Sequence, residues 1–163
     1  MKLCLKEVIK RIALLEKEKD EMLTEENQNC TTTYGGDEQK PPVEYSFSDT
    51  RIAVREVDTD IRRMKHQLHY ANATVQVSEF GMTLGECIIH MAQLNNEKDT
   101  LTYMARKEPK SRRTVYGGAV EWTETNYSRE TCRELLKLTN DRIMKLQMAI
   151  DRTNLMHEVE IEL

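Results

Sequence analysis

Apolar residues recur three and four positions apart in four long segments of the chain, which is the spacing of amphipathic helices. The clearest series is Val54, Val57, Ile61, Met64, Leu68, Ala71 and Val75. The first segment shows it at Leu5, Val8, Ile12, Leu15, Lys19 and Met22, and the third at Leu84, Cys87, Met91, Leu94, Lys98 and Leu101. The last segment shows it at Leu136, Thr139, Ile143, Leu146, Ile150, Thr153 and His157. The pattern predicts four long helices.

Capping residues and breakers set the expected ends of these helices. The first helix is expected over about 3–26 and the second from Ser48 or Asp49 to about residue 72, since Ser and Asp are favourable N-caps. Thr83 followed by Glu86 is a capping box that predicts the start of the third helix, which must end before Pro109. Ser128 is the expected N-cap of the fourth helix, which runs to about residue 154.

The chain also shows signs of an internal repeat at a constant offset of 82 in residue number. The Tyr-Gly-Gly sequence at 34–36 returns at 116–118, and Tyr-Ser at 45–46 returns at 127–128. The heptad series of the second helix likewise continues in the fourth. We therefore interpret residues 1–72 and 83–154 as two copies of one helical hairpin, contained in a single domain over 1–163.

The segments between the helices carry turn and strand signals. Residues 43–47 alternate as a short strand does, and so does the tail from residue 158. Gly117-Gly118 between two apolar-polar runs predicts a β-hairpin with a type I′ turn. Pairing Tyr116 with Ala119 would place Val115, Val120 and Trp122 on one face, with the Arg113 guanidinium over the indole.

The composition favours helices over sheets. Charged residues make up 32% of the 163 residues and aromatic residues only 6%, with three prolines. We therefore predict an all-α fold, an elongated helical bundle or coiled coil of two duplicated hairpins. Only short β-hairpin loops are expected between the helices of each half.

No catalytic motif is found, and no catalytic residue, cofactor or metal site is predicted. His66 and His69 share a helical face, but they lie in a stripe of arginines that is typical of a solvated surface. Glu86 and His90 could form an acid and base pair, although the capping box already accounts for Glu86. The sequence contains no P-loop, no G-x-S-x-G and no His-Glu-x-x-His.

Charge and cysteine usage narrow the classes of partner and compartment. The net charge of −4 gives no general attraction to nucleic acid. Four basic residues just before the hairpin could nevertheless contact phosphates, namely Lys107, Lys110, Arg112 and Arg113. Four widely spaced cysteines and short aliphatic runs indicate a cytoplasmic protein without a membrane span.

Several short segments together resemble a family of uncharacterised bacterial coiled-coil proteins, some of which are labelled septicolysin-like. These are residues 31–34 (Thr-Thr-Thr-Tyr), 45–50 (Tyr-Ser-Phe-Ser-Asp-Thr), 68–72 (Leu-His-Tyr-Ala-Asn), 82–84 (Met-Thr-Leu), 90–95 (His-Met-Ala-Gln-Leu-Asn) and 146–154 (Leu-Gln-Met-Ala-Ile-Asp-Arg-Thr-Asn). The motifs are helix-end and seam patterns without catalytic content. The label implies a membrane-damaging activity.

The helices carry more apolar residues than one four-helix core needs. This surplus predicts a non-enzymatic scaffold or interaction module that forms a homo-oligomer, most simply a dimer. The expected interface residues are Val115, Val120, Trp122, Ile88, Leu135 and Leu138. The alternatives are a membrane-active septicolysin-like protein and a weak nucleic-acid-binding bundle. The identity of any other protein partner cannot be read from the residues.

Overall fold

The computed structural model describes residues 1–161, which form four helices and six short strands. In chain order these are β1 (Lys2–Cys4), α1 (Leu5–Asn29), α2 (Phe47–Thr74), β2 (Gln76–Val77), β3 (Met82–Thr83), α3 (Leu84–Arg106), β4 (Lys110–Thr114), β5 (Val120–Glu124), α4 (Arg129–Met156) and β6 (Glu158–Glu160). They fall into two compact units. Unit 1 contains residues 1–74 and 153–161, and unit 2 contains residues 75–152.

Unit 1 is a pair of helices closed by a strand from each end of the chain. Helices α1 and α2 pack against each other, and β6 pairs antiparallel with β1, with Leu3 opposite Val159. A buried cluster of Val8, Ile12, Met64 and Ile161 joins the two helices to the segment that follows β6. The C-terminal segment is therefore part of the unit 1 core.

Unit 2 contains α3, most of α4 and two strand pairs. Strands β2 and β3 pair antiparallel just before α3, with Val77 opposite Met82. Strands β4 and β5 form a second antiparallel hairpin between α3 and α4. The buried side chains of α3 include Leu84, Cys87 and Leu94, and those of α4 include Thr139 and Leu146.

The strand pairs β1–β6 and β2–β3 repeat one hydrogen-bond pattern. The Leu5 N–H donates to the His157 carbonyl at 3.1 Å, and the Leu84 N–H donates to the Val75 carbonyl at 2.8 Å. Each helix that follows begins with a Glu at its third position that accepts from the backbone N–H before the helix. Glu7 accepts at 2.9 Å and Glu86 at 2.7 Å. The same local structure thus starts α1 and α3.

The offset between equivalent elements is not constant. Helix α2 begins at Phe47 and α4 at Arg129, which is the predicted offset of 82. Helix α1 begins at Leu5 and α3 at Leu84, so their offset is smaller by three positions. The difference lies between the first and second helix of each pair. An alignment without gaps at 82 is therefore wrong for α1 and α3.

The helical predictions agree closely with the structure. Each predicted helix is present, with ends within about three residues of those expected. Every residue of the four heptad series is buried or half-buried, including the polar Lys19, Lys98 and Thr139. The capping box of Thr83 and Glu86 is also confirmed. Ser46 accepts from the Asp49 N–H at 3.4 Å, so the cap of α2 lies before the predicted position.

The predicted all-α fold class is wrong. Six strands pair in three antiparallel two-stranded sheets within residues 1–161, so the fold is mixed α/β. The strand predicted in the tail from residue 158 is confirmed as β6, but its partner β1 and the two-residue strands β2 and β3 are too short to show a period-two pattern.

The loop predictions succeed in one half and fail in the other. Residues 43–46 form no strand and Phe47 opens α2, so the strand expected at 43–47 is wrong. The two Tyr-Gly-Gly sequences also differ. Gly117 and Gly118 have φ of 92° and 79°, whereas Gly35 and Gly36 have no positive φ. Only the second copy of the tripeptide makes a hairpin turn.

Candidate interaction surface

The β4–β5 hairpin is attached where α3 ends and α4 begins. The Tyr127 hydroxyl donates to the Met104 carbonyl at 2.9 Å, and Arg129 Nε donates to the Ala105 carbonyl at 3.2 Å. The Met104 carbonyl also accepts from the Lys107 N–H at 3.2 Å, while the Arg129 bond satisfies a carbonyl at the end of α3 whose next possible backbone donor is the N–H that Pro109 lacks. The base of the hairpin is therefore held by side chains at the beginning of α4.

The turn of the hairpin spans one residue more than predicted. The Val115 N–H donates to the Ala119 carbonyl at 3.0 Å, and the Gly118 N–H donates to the Val115 carbonyl at 3.1 Å. Val115 thus lies opposite Ala119, and the predicted pairing of Tyr116 with Ala119 is wrong. The turn hydrogen bond closes on Gly118, so Tyr116 and Gly117 are its central residues and Gly118 is the third residue of the loop. Tyr116 has no positive φ, whereas the predicted type I′ turn needs positive φ at both central residues.

This shift in register changes which side chains share a face. Arg112 lies opposite Trp122, and Arg113 lies opposite Glu121 on the other face. The cation over the indole is Lys110, whose Nζ lies 4.8 Å from the ring centroid and also forms an ion pair with Glu124. The predicted contact of Arg113 with the indole, and of Val115 with the Trp122 face, is therefore wrong.

The six predicted interface residues all lie in unit 2, but they do not form one patch. Trp122 is 57% exposed and Val120 is 41% exposed on β5, while Val115 is half-buried. Leu135 and Leu138 are exposed near the start of α4. Ile88 is exposed about 27 Å along α3 from its hairpin end, at 1.5 Å per residue. Leu135 and Leu138 lie about 9 and 14 Å along α4 from its first residue, which is the end that follows the hairpin.

Other exposed apolar side chains in unit 2 were not predicted. Ile89 on α3 and Met144 and Met148 on α4 are all more than half exposed. The two methionines are four residues apart, so they lie on one side of α4. Met144 and Met148 could have been found from the sequence, because they repeat the four-residue spacing that identified the core series.

Unit 1 carries a polar cleft at the open end of its helix pair. Glu26 accepts a hydrogen bond from the Tyr45 hydroxyl at 2.9 Å and forms an ion pair with Arg51. Met22 and Asp49 are among the residues that line the cleft, whose volume is about 290 Å³. Tyr45 and Tyr127 occupy equivalent positions of the repeat, so both units use a tyrosine hydroxyl to connect the second helix to the end of the first.

The groups with displaced pKa values have local structural causes. Hydrogen bonds from the backbone and side chain of Cys4 lower the pKa of Glu7, and those of Thr83 lower the pKa of Glu86. Burial raises the pKa of the Cys87 thiol, with a smaller contribution from the nearby Glu86 charge. These shifts accompany helix capping and core packing.

The histidines that were considered as metal ligands or as a catalytic base lie on two different helices. His66 and His69 lie on α2, where His66 is exposed, and His90 is half-buried on α3. Within residues 1–161, no group of three or more His, Cys, Asp or Glu side chains is placed to hold a metal ion. No helix in this part of the chain is both long and apolar enough to cross a membrane.

Comparison with known proteins identifies a shared fold. No protein-family model matches this sequence, and no curated protein matches it either. A crystal structure of a functionally unknown conserved protein from Corynebacterium diphtheriae is similar over 98% of this chain and 100% of its own, with a TM-score of 0.74. The two sequences are 16% identical. The likeness shows that the fold also exists in a bacterial protein.

Proposed function

We propose that this protein is a non-enzymatic interaction module that assembles with a second copy of itself, with the β4–β5 hairpin as the main contact. The observation that carries this proposal is the exposure of Trp122 and Val120 on β5, all five residues of which are exposed. A two-stranded ribbon is at best marginally stable without packing. Burial of an indole at an interface is among the strongest single contributions to binding.

The two units differ in the segment between their paired helices, and this difference supports the proposal. In unit 1, residues 30–46 connect α1 to α2 without a strand. In unit 2, the corresponding segment is longer and contains the whole hairpin. The 30–46 segment shows that a helix pair can be connected without a hairpin. The β4–β5 hairpin is therefore available for a role other than connecting α3 to α4.

Exposed leucines near the hairpin support an interface that extends onto the helices. Leu135 and Leu138 are three residues apart on α4, so they lie on one side of the helix, within about 14 Å of its first residue at 1.5 Å per residue. Exposed apolar side chains such as these are what an interface core surrounded by polar residues requires. Ile88 is too far along α3 to belong to the same patch.

The proposed compartment is the cytoplasm. The cysteines of the described chain are free, and Cys87 and Cys132 are buried as thiols in unit 2. Buried free thiols are consistent with a reducing environment.

Light scattering of the full chain tests the proposal. At a concentration of about 100 μM we expect a mass near twice 19.1 kDa, decreasing toward the monomer value in Trp122→Ala. Tyr70→Ala is the matched control, because Tyr70 is an exposed aromatic residue on α2 in unit 1. A monomer mass for the unaltered chain refutes self-association.

A dye-release assay with lipid vesicles addresses the membrane-active alternative. The proposal predicts that the protein leaves anionic and neutral vesicles intact. Leakage that increases with protein concentration would favour the activity implied by the septicolysin-like resemblance and would contradict the proposed role.

A further inference from the structure

Each strand of the β4–β5 hairpin has one edge that no other strand of residues 1–161 covers. Hydrogen bonds at the two ends of the ladder, Val115 N–H to Ala119 and Thr125 N–H to Pro109 at 2.9 Å, show which pairs are hydrogen-bonded. Because hydrogen-bonded and non-hydrogen-bonded pairs alternate, the pairs between these ends can be assigned. The outward-facing backbone groups belong to Val120, Trp122 and Glu124 on β5 and to Lys110, Arg112 and Thr114 on β4.

The two edges differ in the side chains that accompany these backbone groups. The edge of β4 carries Lys110 and Arg112, and charged side chains are a common means of preventing strand addition. Of the three outward residues of β5, Val120 and Trp122 have high β-propensity and a large apolar surface, and Glu124 at the base of the hairpin is charged. Strand β5 is therefore the edge that favours addition of another strand.

We propose that β5 pairs antiparallel with β5 of a second copy, so that the two hairpins form one four-stranded sheet with a two-fold axis at Trp122. This inference rests on the proposed function and specifies its contact. In this register Trp122 faces Trp122 of the second copy, and Val120 faces Glu124. All three residues with outward backbone groups then fall in hydrogen-bonded pairs.

Charge complementarity supports this partner. The remaining pair across the new contact joins Glu121 to Thr123 of the second copy, so no like charges lie opposite each other. The same two-fold pairing through β4 would place Arg112 opposite Arg112, and like charges directly opposite each other are destabilising. Pairing of β4 with β5 of another copy is heterologous, so two copies leave one edge of each kind open and further copies add until a ring closes or a filament forms. The β5–β5 contact is closed and isologous.

The indoles would add to the strand pairing. In the free chain Trp122 already lies under the Lys110 ammonium, whose charge is also paired with Glu124. This arrangement holds the indole against one face of the hairpin, and the strands of the second copy would continue that face. Two aromatic side chains on neighbouring strands of one face are a favourable cross-strand pair.

A pair of proline substitutions separates the two edges. Val120→Pro removes an outward N–H from β5, and Thr114→Pro removes one from β4 directly opposite. Neither substitution removes a hydrogen bond within the hairpin, because both donors point away from it. In sedimentation equilibrium at about 100 μM, we expect Thr114→Pro to dimerise like the unaltered chain and Val120→Pro to bind its copy at least tenfold more weakly.

A second variant keeps the test decisive if Val120→Pro does not fold. In Trp122→Glu the new carboxylate lies opposite the Arg112 guanidinium within its own hairpin, which is a favourable pair. Across the proposed axis it lies opposite the same carboxylate of the second copy, which is a repulsive pair. Dimerisation of this variant should therefore be weakened at low salt and partly recovered at high salt, where like charges are screened.

The possible outcomes are distinct. Equal dimerisation of the two proline variants overturns the β5 contact but leaves self-association through other surfaces. A monomeric unaltered chain overturns both this inference and the proposed function. A chain that stays monomeric and binds single-stranded oligonucleotides assigns the Trp122 and Arg112 face to nucleic acid instead. Species larger than a dimer overturn the closed two-fold contact.

Discussion

Met64 in unit 1 and Leu146 in unit 2 occupy equivalent positions of the repeat, and both side chains are completely buried. Met64 lies in the cluster with Val8, Ile12 and Ile161, and Leu146 lies on the buried side of α4. If the two units are copies of one design, truncation at the two positions should have similar costs. Met64→Ala and Leu146→Ala therefore test the core seams of both units together.

The expected cost follows from the atoms removed. Each truncation removes about three methylene-sized groups from a site without solvent contact, which is worth about 2.4 kcal/mol at about 0.8 kcal/mol per group. A residual cavity of about 40 Å³ adds roughly 1 kcal/mol at about 24 cal/mol per Å³. We expect a loss of about 3 kcal/mol in the free energy of unfolding for each variant.

Urea denaturation followed by circular dichroism measures this loss, with an unchanged m value as the sign that the denatured state is unaltered. Met148→Ala is the matched control, since Met148 lies on the same helix and is more than half exposed. Its effect should be within about 0.5 kcal/mol of zero. A loss below about 1 kcal/mol for either buried residue would show that its seam does not carry the core.

Further predictions concern caps and turns. Thr83→Ala should cost about 1 kcal/mol in thermal or chemical unfolding, because its hydroxyl accepts from the Glu86 N–H. The pKa of Glu86 is lowered from 4.5 in the folded state, so its stabilising contribution is complete above 4.5 and disappears as the pH falls through the folded value. Acid should therefore destabilise the unaltered chain more than Glu86→Gln in melts over this range. Gly118→Ala should lower the free energy of unfolding by about 1 kcal/mol, because Gly118 has a φ of 79° that alanine rarely adopts. Gly36→Ala should be neutral or slightly stabilising, because Gly36 has no positive φ and a Cβ there would contact no neighbouring atom.

The helices could be predicted because their signals are long and redundant. A seam such as Leu84 to Leu101 spans five turns, so a single polar residue such as Lys98 does not obscure it. Thr83 and Glu86 add an independent local signal at the helix start. The alternating tail from residue 158 indicated β6, but the β2–β3 sheet could not be predicted in this way, because a strand such as Gln76–Val77 contains one alternation at most.

The hairpin shows how local chemistry limits prediction of a surface. Gly117-Gly118 correctly indicated a reversal of the chain, but the same residues permit loops of two or three residues. The difference of one residue moved Arg113 away from the indole and brought Lys110 to it. Whether Leu135 and Leu138 are exposed likewise depends on which side of α4 packs against the rest of unit 2. The spacing of apolar residues along α4 does not by itself decide that.

Amide hydrogen exchange of the unaltered chain, measured at about 1 μM and about 100 μM, is the most direct test of association through β5. The N–H groups of Val120, Trp122 and Glu124 point away from the hairpin and pair with no other strand of residues 1–161, and the same holds for Lys110, Arg112 and Thr114 on the opposite edge. We expect exchange to slow with concentration at the three β5 positions and to stay fast at the three β4 positions. Exchange that is independent of concentration at all six would contradict it.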